Sequence, residues 1–282
     1  MRRVTSLDEY YALVKAANEN IHATKTNDML SVETLQRYVS LGRLLYELVD
    51  AGHFLFTDEG NYYQGFFHVD PKQKFAVSRK DKPVLIQNVY KGEKKPWVMS
   101  VEENLRDSGF VLADTLKHGV FIGYDGIPKI LRSLRGVKRI FEKEGLVFAP
   151  LRRDQIPEML AFQKTIDEVP FYQFPYYTDD EYMEEAEAER LCCVMNAEGR
   201  IIAARHLIVN GKKTYGWVGI EDRYKIQYGI ALVFLGHALD YIEKHDLKMC
   251  SWVKTTNIPS LQYHERLGTE WTGHMEDEWL ME

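Results

Sequence analysis

Thr214-Tyr215-Gly216-Trp217-Val218-Gly219-Ile220, then Glu221 to Gly229, then Ile230 to His245, is the stretch on which the reading of this chain turns. The opening residues carry the β-branched and aromatic content of a strand. The polar segment after them ends in glycine, and an apolar helix follows. Leu247 to Val253 reads as a short strand, and Asn257-Ile258-Pro259-Ser260 opens a last helix that stops at Leu267-Gly268. A strand, a glycine-containing turn and a helix N-terminus together can bind phosphate. The first N–H groups of a helix lack internal partners, and the helix dipole puts partial positive charge beside them. A plain strand-to-helix turn, with glycine filling a tight spot, has the same composition.

The second half of the stretch narrows the choice. Ile226-Gln227-Tyr228-Gly229-Ile230-Ala231 resembles the Q/R-x-x-G-x-G/A cofactor loop of the GNAT acetyltransferase superfamily, with Ile226 where Gln or Arg is usual. Asn257, Ser260 and Gly268 match that family's later N-x-x-A/S-x-x-x-Y-x-x-x-G signature, with His264 at the tyrosine position and Tyr263 just before it. The resemblance covers Leu146 to Glu282 well and the first half faintly. It implies an α/β fold of two GNAT-like halves, each a mostly antiparallel mixed sheet flanked by helices. It also implies an acetyl-CoA-dependent N-acetyltransferase acting on a primary amine.

Composition fits such an enzyme. The 282 residues allow two domains, and 45% hydrophobic content supports a packed core. A formal charge of −6 disfavours a nucleic-acid partner. Cys192, Cys193 and Cys250 are too few for a secreted disulfide framework. Neighbouring Cys192 and Cys193 would point to opposite faces of a strand, so they read as small core residues rather than a metal site. Met1-Arg2-Arg3 is not followed by an apolar signal core, and no apolar run reaches membrane-span length. The expectation is a cytoplasmic monomer or homodimer with no metal and no membrane attachment.

Taken in order, the chain repeats a plan. Helices are expected at Ser6 to Ala17 and Ser31 to Ala51. A hairpin turns at Asp58-Glu59-Gly60-Asn61, a strand spans Pro83 to Tyr90, a helix runs near Trp97 to Asp107, and a strand begins at Gly109-Phe110. The second pass has a strand at Leu146 to Pro150, helices at Asp154 to Asp167 and from Asp179, and a hairpin at Asn196-Ala197-Glu198-Gly199. Matching Gly60 to Gly199 and Gly109 to Gly268 makes the second copy longer by about the turn and helix Ile226 to His245. Asp70 to Lys82 stands there in the first copy, without glycine and too short for the helix. Residues 1–126 are therefore expected to form a degenerate copy and 146–282 the transferase. Residues 127–145 are expected to connect them as an amphipathic helix with a solvated basic face.

Site residues follow from the chemistry. Coenzyme A needs its pyrophosphate held, and Gln227, Tyr228, Gly229, Ile230 and Ala231 offer main chain at the helix start. The resemblance implies that the strand residues Val218 and Ile220 face the thioester, and that Asn257 and Ser260 contact or support the pantetheine arm. Asn257 is equally a turn or cap residue. The departing thiolate gains from a proton donor: His264 with Tyr263 packing, Tyr263 with His264 packing, or neither. Glu221 is the candidate base or a solvated loop residue, and His206 a weaker one. Phe171, Tyr172, Phe174 and Tyr176 form either an acceptor pocket wall or a buried plug, beside the acidic run Asp179 to Glu189. Three other functions share the pattern: a non-catalytic CoA- or acyl-CoA-binding module, a tRNA-dependent aminoacyl transferase, and a structural or interaction domain whose cleft is filled by Ile226 and Tyr228.

Overall fold

Hydrophobic alternation along short strands, interrupted by glycine turns, builds a mixed α/β chain. The computed structural model describes residues 1–19, 24–28, 30–121, 127–166, 177–225 and 229–282. The first elements are β1 (Arg2–Arg3), α1 (Leu7–Glu19), β2 (Lys25–Thr26), α2 (Val32–Ser40), β3 (Leu44–Val49), β4 (Gly52–Asp58), β5 (Tyr63–Val69), β6 (Val84–Lys91), α3 (Pro96–Asp107) and β7 (Val111–Phe121). Then come α4 (Ile127–Glu144), β8 (Val147–Pro150), α5 (Ile156–Ile166), α6 (Asp179–Glu187), β9 (Leu191–Met195), β10 (Ile201–Asn210) and β11 (Lys213–Ile220). The chain finishes with α7 (Ile230–Lys244), β12 (Lys248–Lys254), α8 (Ile258–Arg266) and β13 (Thr269–Met281).

Two compact units result, and they interleave along the chain. The first holds Met1–His118, Trp252–Ile258 and Trp271–Glu282; the second holds Gly119–Ser251 and Pro259–Glu270.

In the first unit β1, β3, β4, β5 and β6 lie side by side in that order, with β2 on β5. All these pairs are antiparallel except β5–β6. Phe54, Phe56, Phe67, Ile86 and Leu105 fill the core on the α3 side, with Trp279 from β13. The β5–β6 ladder runs only from Tyr63↔Val84 to Gly65↔Ile86. Beyond it the buried Asn27 closes the gap between the strands. Its carboxamide nitrogen donates to the Gln87 carbonyl at 2.5 Å, and its oxygen accepts from the Phe67 N–H at 2.7 Å. Asp28 anchors the same segment, accepting from the Tyr10 hydroxyl at 2.7 Å and pairing with His68 at 3.3 Å.

The second unit repeats the strand order as β8, β9, β10, β11, β12, again with the last pair parallel. One face is covered by α5 and α6 through Ile156, Met159, Phe162 and Tyr182, against Leu191 and Cys193. The other carries α4 and α7, whose Val137, Phe141, Ile230 and Phe234 pack on Val194 and Ile202. Thr178 opens α6 with a capping box to Glu181. Cys192 and Cys193 do face opposite sides: Cys193 joins the α5–α6 core, and Cys192 Sγ lies 3.6 Å from His237 Nε2 of α7.

The fold class reads correctly from sequence, but three of its details are corrected. The helix expected over Ser31 to Ala51 ends at Ser40. Gly42, at φ +66°, turns the chain, and Leu44–Val49 pairs antiparallel with β4. The helical spacing of Leu41, Leu44, Leu45, Leu48 and Val49 misled because a six-residue strand burying Leu44 and Tyr46 satisfies the same letters. The repeat is real in element order, but its register shifts. Strand order matches β3-β4-β5-β6 with β9-β10-β11-β12, so the Gly60 turn corresponds to the β10–β11 turn at Gly211, not to Gly199. Gly109 and Gly268 do correspond, each following a helix at positive φ. No helix separates β5 from β6, whereas α7 separates β11 from β12. Lastly, β13 is a long strand that sequence left unassigned; His274 to Met281 pair antiparallel with β6.

Candidate functional site

β11 is paired with β10 along its whole length, from Asn210↔Lys213 to Ala203↔Ile220. On its other edge the ladder with β12 has three rungs and stops at Tyr215↔Cys250. From Gly216 to Ile220 β11 runs on without a ladder to β12. Val218 sits there half exposed, and Ile220 packs toward Phe234. Gly219 is confined: a Cβ would fall 2.6 Å from Cη2 of Trp217 and 3.0 Å from Cγ2 of Ile166.

α7 begins at Gly229, which has left-handed backbone angles (φ 63°, ψ 21°) and gives the helix no side-chain cap. Its first N–H groups are therefore not claimed by a cap side chain, and the dipole favours an anion there. Ile230 is buried in the core below and Ala231 is half-buried. Gln227 and Tyr228 lie outside the described residues, as do Phe171, Tyr172, Phe174 and Tyr176.

Tyr263 and His264 point to different surroundings, with ring centroids 5.7 Å apart and planes at 83°. Tyr263 packs against Leu235, Leu239 and Leu267. Burial raises its phenol above the ordinary range, and the Arg205 charge opposes that rise. His264 Nδ1 lies 3.3 Å from Ser251 Oγ and 3.5 Å from Thr269 Oγ1. Burial holds its imidazole below the usual value. Asn257 is exposed in the turn before α8, with its N–H on the Lys254 carbonyl at 3.0 Å, and Ser260 is half-buried in the first turn of that helix.

Glu221 lies between two guanidinium groups: Oε2 is 3.3 Å from Arg200 and 3.1 Å from Arg223. His206 is buried with Nε2 3.1 Å from Glu185, which also accepts from Arg190 at 2.7 Å. Burial alone would raise the Glu185 carboxyl, but these hydrogen bonds outweigh it and hold the group well below the usual range. Much of the acidic run is thus structural: Glu181 caps α6, Glu185 is a buried ion-pair partner, and Asp179 and Asp180 are exposed.

Sequence reasoning passed over Arg205. It lies at 4% exposure in the middle of β10, and its Nε and Nη1 have no hydrogen-bond partner among the described residues. The signal was there to use, since Ile201-Ile202-Ala203-Ala204-Arg205-His206-Leu207-Ile208 sets a charge inside an apolar strand.

Neither a sequence-family description nor a curated protein matches the chain. Solved structures do. A Drosophila protein determined by X-ray crystallography aligns over 99% of this chain and 97% of its own, with a TM-score of 0.53 at 11% identity, and shares its fold. The chain is also similar to a GCN5-related glucosamine N-acetyltransferase region of a fungal multi-domain GH3 β-N-acetylglucosaminidase (TM-score 0.49, 12% identity, 81% of this chain). It spans 31% of that protein's length. A tandem GNAT protein from the clavulanic acid biosynthesis pathway matches with a TM-score of 0.46 at 10% identity, over 82% of this chain and 78% of its own.

Proposed function

We propose that the second unit is a coenzyme A-dependent N-acyltransferase that passes a short acyl group, acetyl in the simplest case, to a primary amine of a small molecule, amino acid or peptide. The observation that carries this is the parting of β11 from β12 after Tyr215, directly upstream of an α7 whose N-cap is a left-handed glycine. In the first unit the corresponding gap is filled by Asn27 and no helix follows β5, so the reading assigns the reaction to the second unit alone.

When bound, acetyl-CoA supplies an activated thioester. The start of α7 from Gly229 to Ala231 would hold its pyrophosphate, and the open edge of β11 at Val218 and Ile220 would offer main-chain donors to the carbonyl oxygen as negative charge builds there. Tyr263 is assigned the proton for the departing sulfur, because burial keeps its phenol protonated until the thiolate leaves. His264 keeps a supporting place through Ser251 and Thr269. Glu221, held by Arg200 and Arg223, orders the loop after β11, and the incoming amine loses its proton to water.

The test is calorimetric titration of coenzyme A and acetyl-CoA into the wild-type protein and an Ala231→Glu variant. A carboxylate in the first turn of α7 suits the helix dipole but repels phosphate, so the fold is kept while the site is spoiled. Micromolar binding, weakened at least tenfold by the substitution at unchanged Tm, is the expected result. A well-folded wild-type protein that binds neither ligand overturns the proposal.

A further inference from the structure

Among the described residues, Arg205 is a buried cation without an anion. Burial pulls its guanidinium down to about 10, and the groups whose charge it meets are Tyr263 and Cys192. Neither is an anion at neutral pH. Burial pushes the Cys192 thiol up to about 12 and raises the Tyr263 phenol. His237, on the same side, is lowered by burial and then by Arg205 itself, so it stays neutral. An uncompensated buried charge costs several kcal/mol.

Its path shows where that ligand lies. Arg205 stands opposite Val218 on β11, yet its side chain runs diagonally to Gly216. Nη2 and Nε are 3.5 Å and 3.9 Å from where a Gly216 Cβ would be. The guanidinium thus lies over Gly216, at the distance of ordinary van der Waals contact. Gly216 is also the first residue past the last β11–β12 rung. The guanidinium therefore arrives where the two strands part, within electrostatic reach of the phenol assigned above as proton donor.

Resting on the transferase reading, we propose that Arg205 receives a carboxylate of the reacting ligand, so that the enzyme handles an acid-bearing partner rather than a neutral one. A carboxylate matches one guanidinium in charge and in paired hydrogen bonds. A phosphate would bring more negative charge into the same buried place than one cation balances. The carboxylate belongs to one of two sources: the far end of the acyl group, as in a succinyl thioester, or the acceptor, as in an α-amino acid.

The experiment compares wild type with Arg205→Met and Arg205→Lys. Binding of coenzyme A, acetyl-CoA and succinyl-CoA is measured by calorimetry. Acetyl transfer to glycine and alanine is compared with transfer to their amides. Tm is recorded without ligand. If the acyl group carries the acid, succinyl-CoA binds at least tenfold tighter than acetyl-CoA. If the acceptor carries it, the two thioesters bind alike and the amino acids outrun their amides at least tenfold in kcat/KM. In either case Arg205→Met removes the preference, Arg205→Lys keeps part of it, and the Met variant is as stable as wild type or more so. A preference that is absent, or that survives in Arg205→Met, overturns the proposal. A Met variant that fails to fold or loses several degrees in Tm also does so, because the guanidinium then belongs to the empty protein's own core. Wild type that binds no coenzyme A species at all defeats the transferase reading and this inference with it. Binding without discrimination defeats only the inference.

Discussion

The side-chain oxygen of Asn27 accepts a hydrogen bond from the Phe67 N–H at 2.7 Å, in the gap where β5 and β6 part. The second unit has a gap in the corresponding place after Tyr215. In the first unit one carboxamide takes up the backbone groups of both strands. Asn27→Ala removes these bonds and leaves the Phe67 N–H and the Gln87 carbonyl without them, at a cost of about 1–3 kcal/mol for each buried group left unmade. Urea denaturation should show a loss of about 2–5 kcal/mol on that basis. A change below about 0.5 kcal/mol, the range of ordinary surface substitutions, would mean water replaces the side chain freely.

Gly229 meets α4. A Cβ there would lie 2.5 Å from Cγ2 of Val137, and the residue sits at φ +63°. Gly229→Ala should cost about 1–2 kcal/mol for the left-handed backbone and about 1–3 kcal/mol for the overlap. Val137→Ala in the same chain should recover the second part and not the first. Equilibrium denaturation of the single and double variants separates the two contributions.

Two groups of carboxylates set opposite pH limits. Glu278 is buried on β13, and burial lifts its carboxyl from 4.5 to about 7, against the pull of Lys254. The folded chain therefore keeps a proton that the unfolded chain has lost. Stability is full below about pH 4.5 and declines as pH rises through 7, by about 3 kcal/mol at most. Burial raises Glu276 in the same direction. Glu278→Gln should flatten the fall of Tm between pH 5 and pH 8 on that account. An unchanged slope would place the titration elsewhere.

Glu185 works the other way. His206 and Arg190 hold its carboxyl well below the usual range despite burial. Its contribution is present above the unfolded value of about 4.5 and is lost as pH falls toward the folded one. Glu185→Gln should lower stability at pH 7 by about 1–3 kcal/mol and blunt the acid limb of the pH–stability curve. An acid limb identical to wild type would show that the ion pair contributes nothing there.

Tyr263→Phe should reduce kcat by about 10²–10⁴-fold if the phenol delivers the proton, with coenzyme A affinity kept. His264→Asn should change kcat by less than about tenfold, the effect of a support rather than a donor. The reverse ranking would assign the proton to His264. Loss of neither would favour a module that binds without catalysing.

The sequence carried the element order well, because strands with glycine turns and a long apolar helix leave strong periodic signals. It carried β3 badly. Leu41 to Val49 suits a helix by spacing, and only Gly42 marks the break. The register of the repeat was misplaced because Gly60, Gly199 and Gly211 all punctuate hairpins at positive φ, and pairing alone tells which turn is which. Gly229 was legible as a helix start, but its contact with Val137 joins positions far apart in sequence. Arg205 was visible as a charge in an apolar run, yet its lack of a partner is a property of three dimensions. Glu221 read as a candidate base or a solvated loop residue, and its place between two arginines is again a property of three dimensions.

The last strand changes how the protein must be made. Trp271–Glu282 belongs to the first compact unit, where it lines β6. A ribosome that has delivered only the first half has therefore released a sheet whose β6 edge still waits for residues not yet synthesised. Such an edge invites pairing with other chains. The first half cannot be completed before the second has been translated, so the two are bound together in biogenesis, and a chain cut between them should yield an aggregating fragment rather than a spare domain.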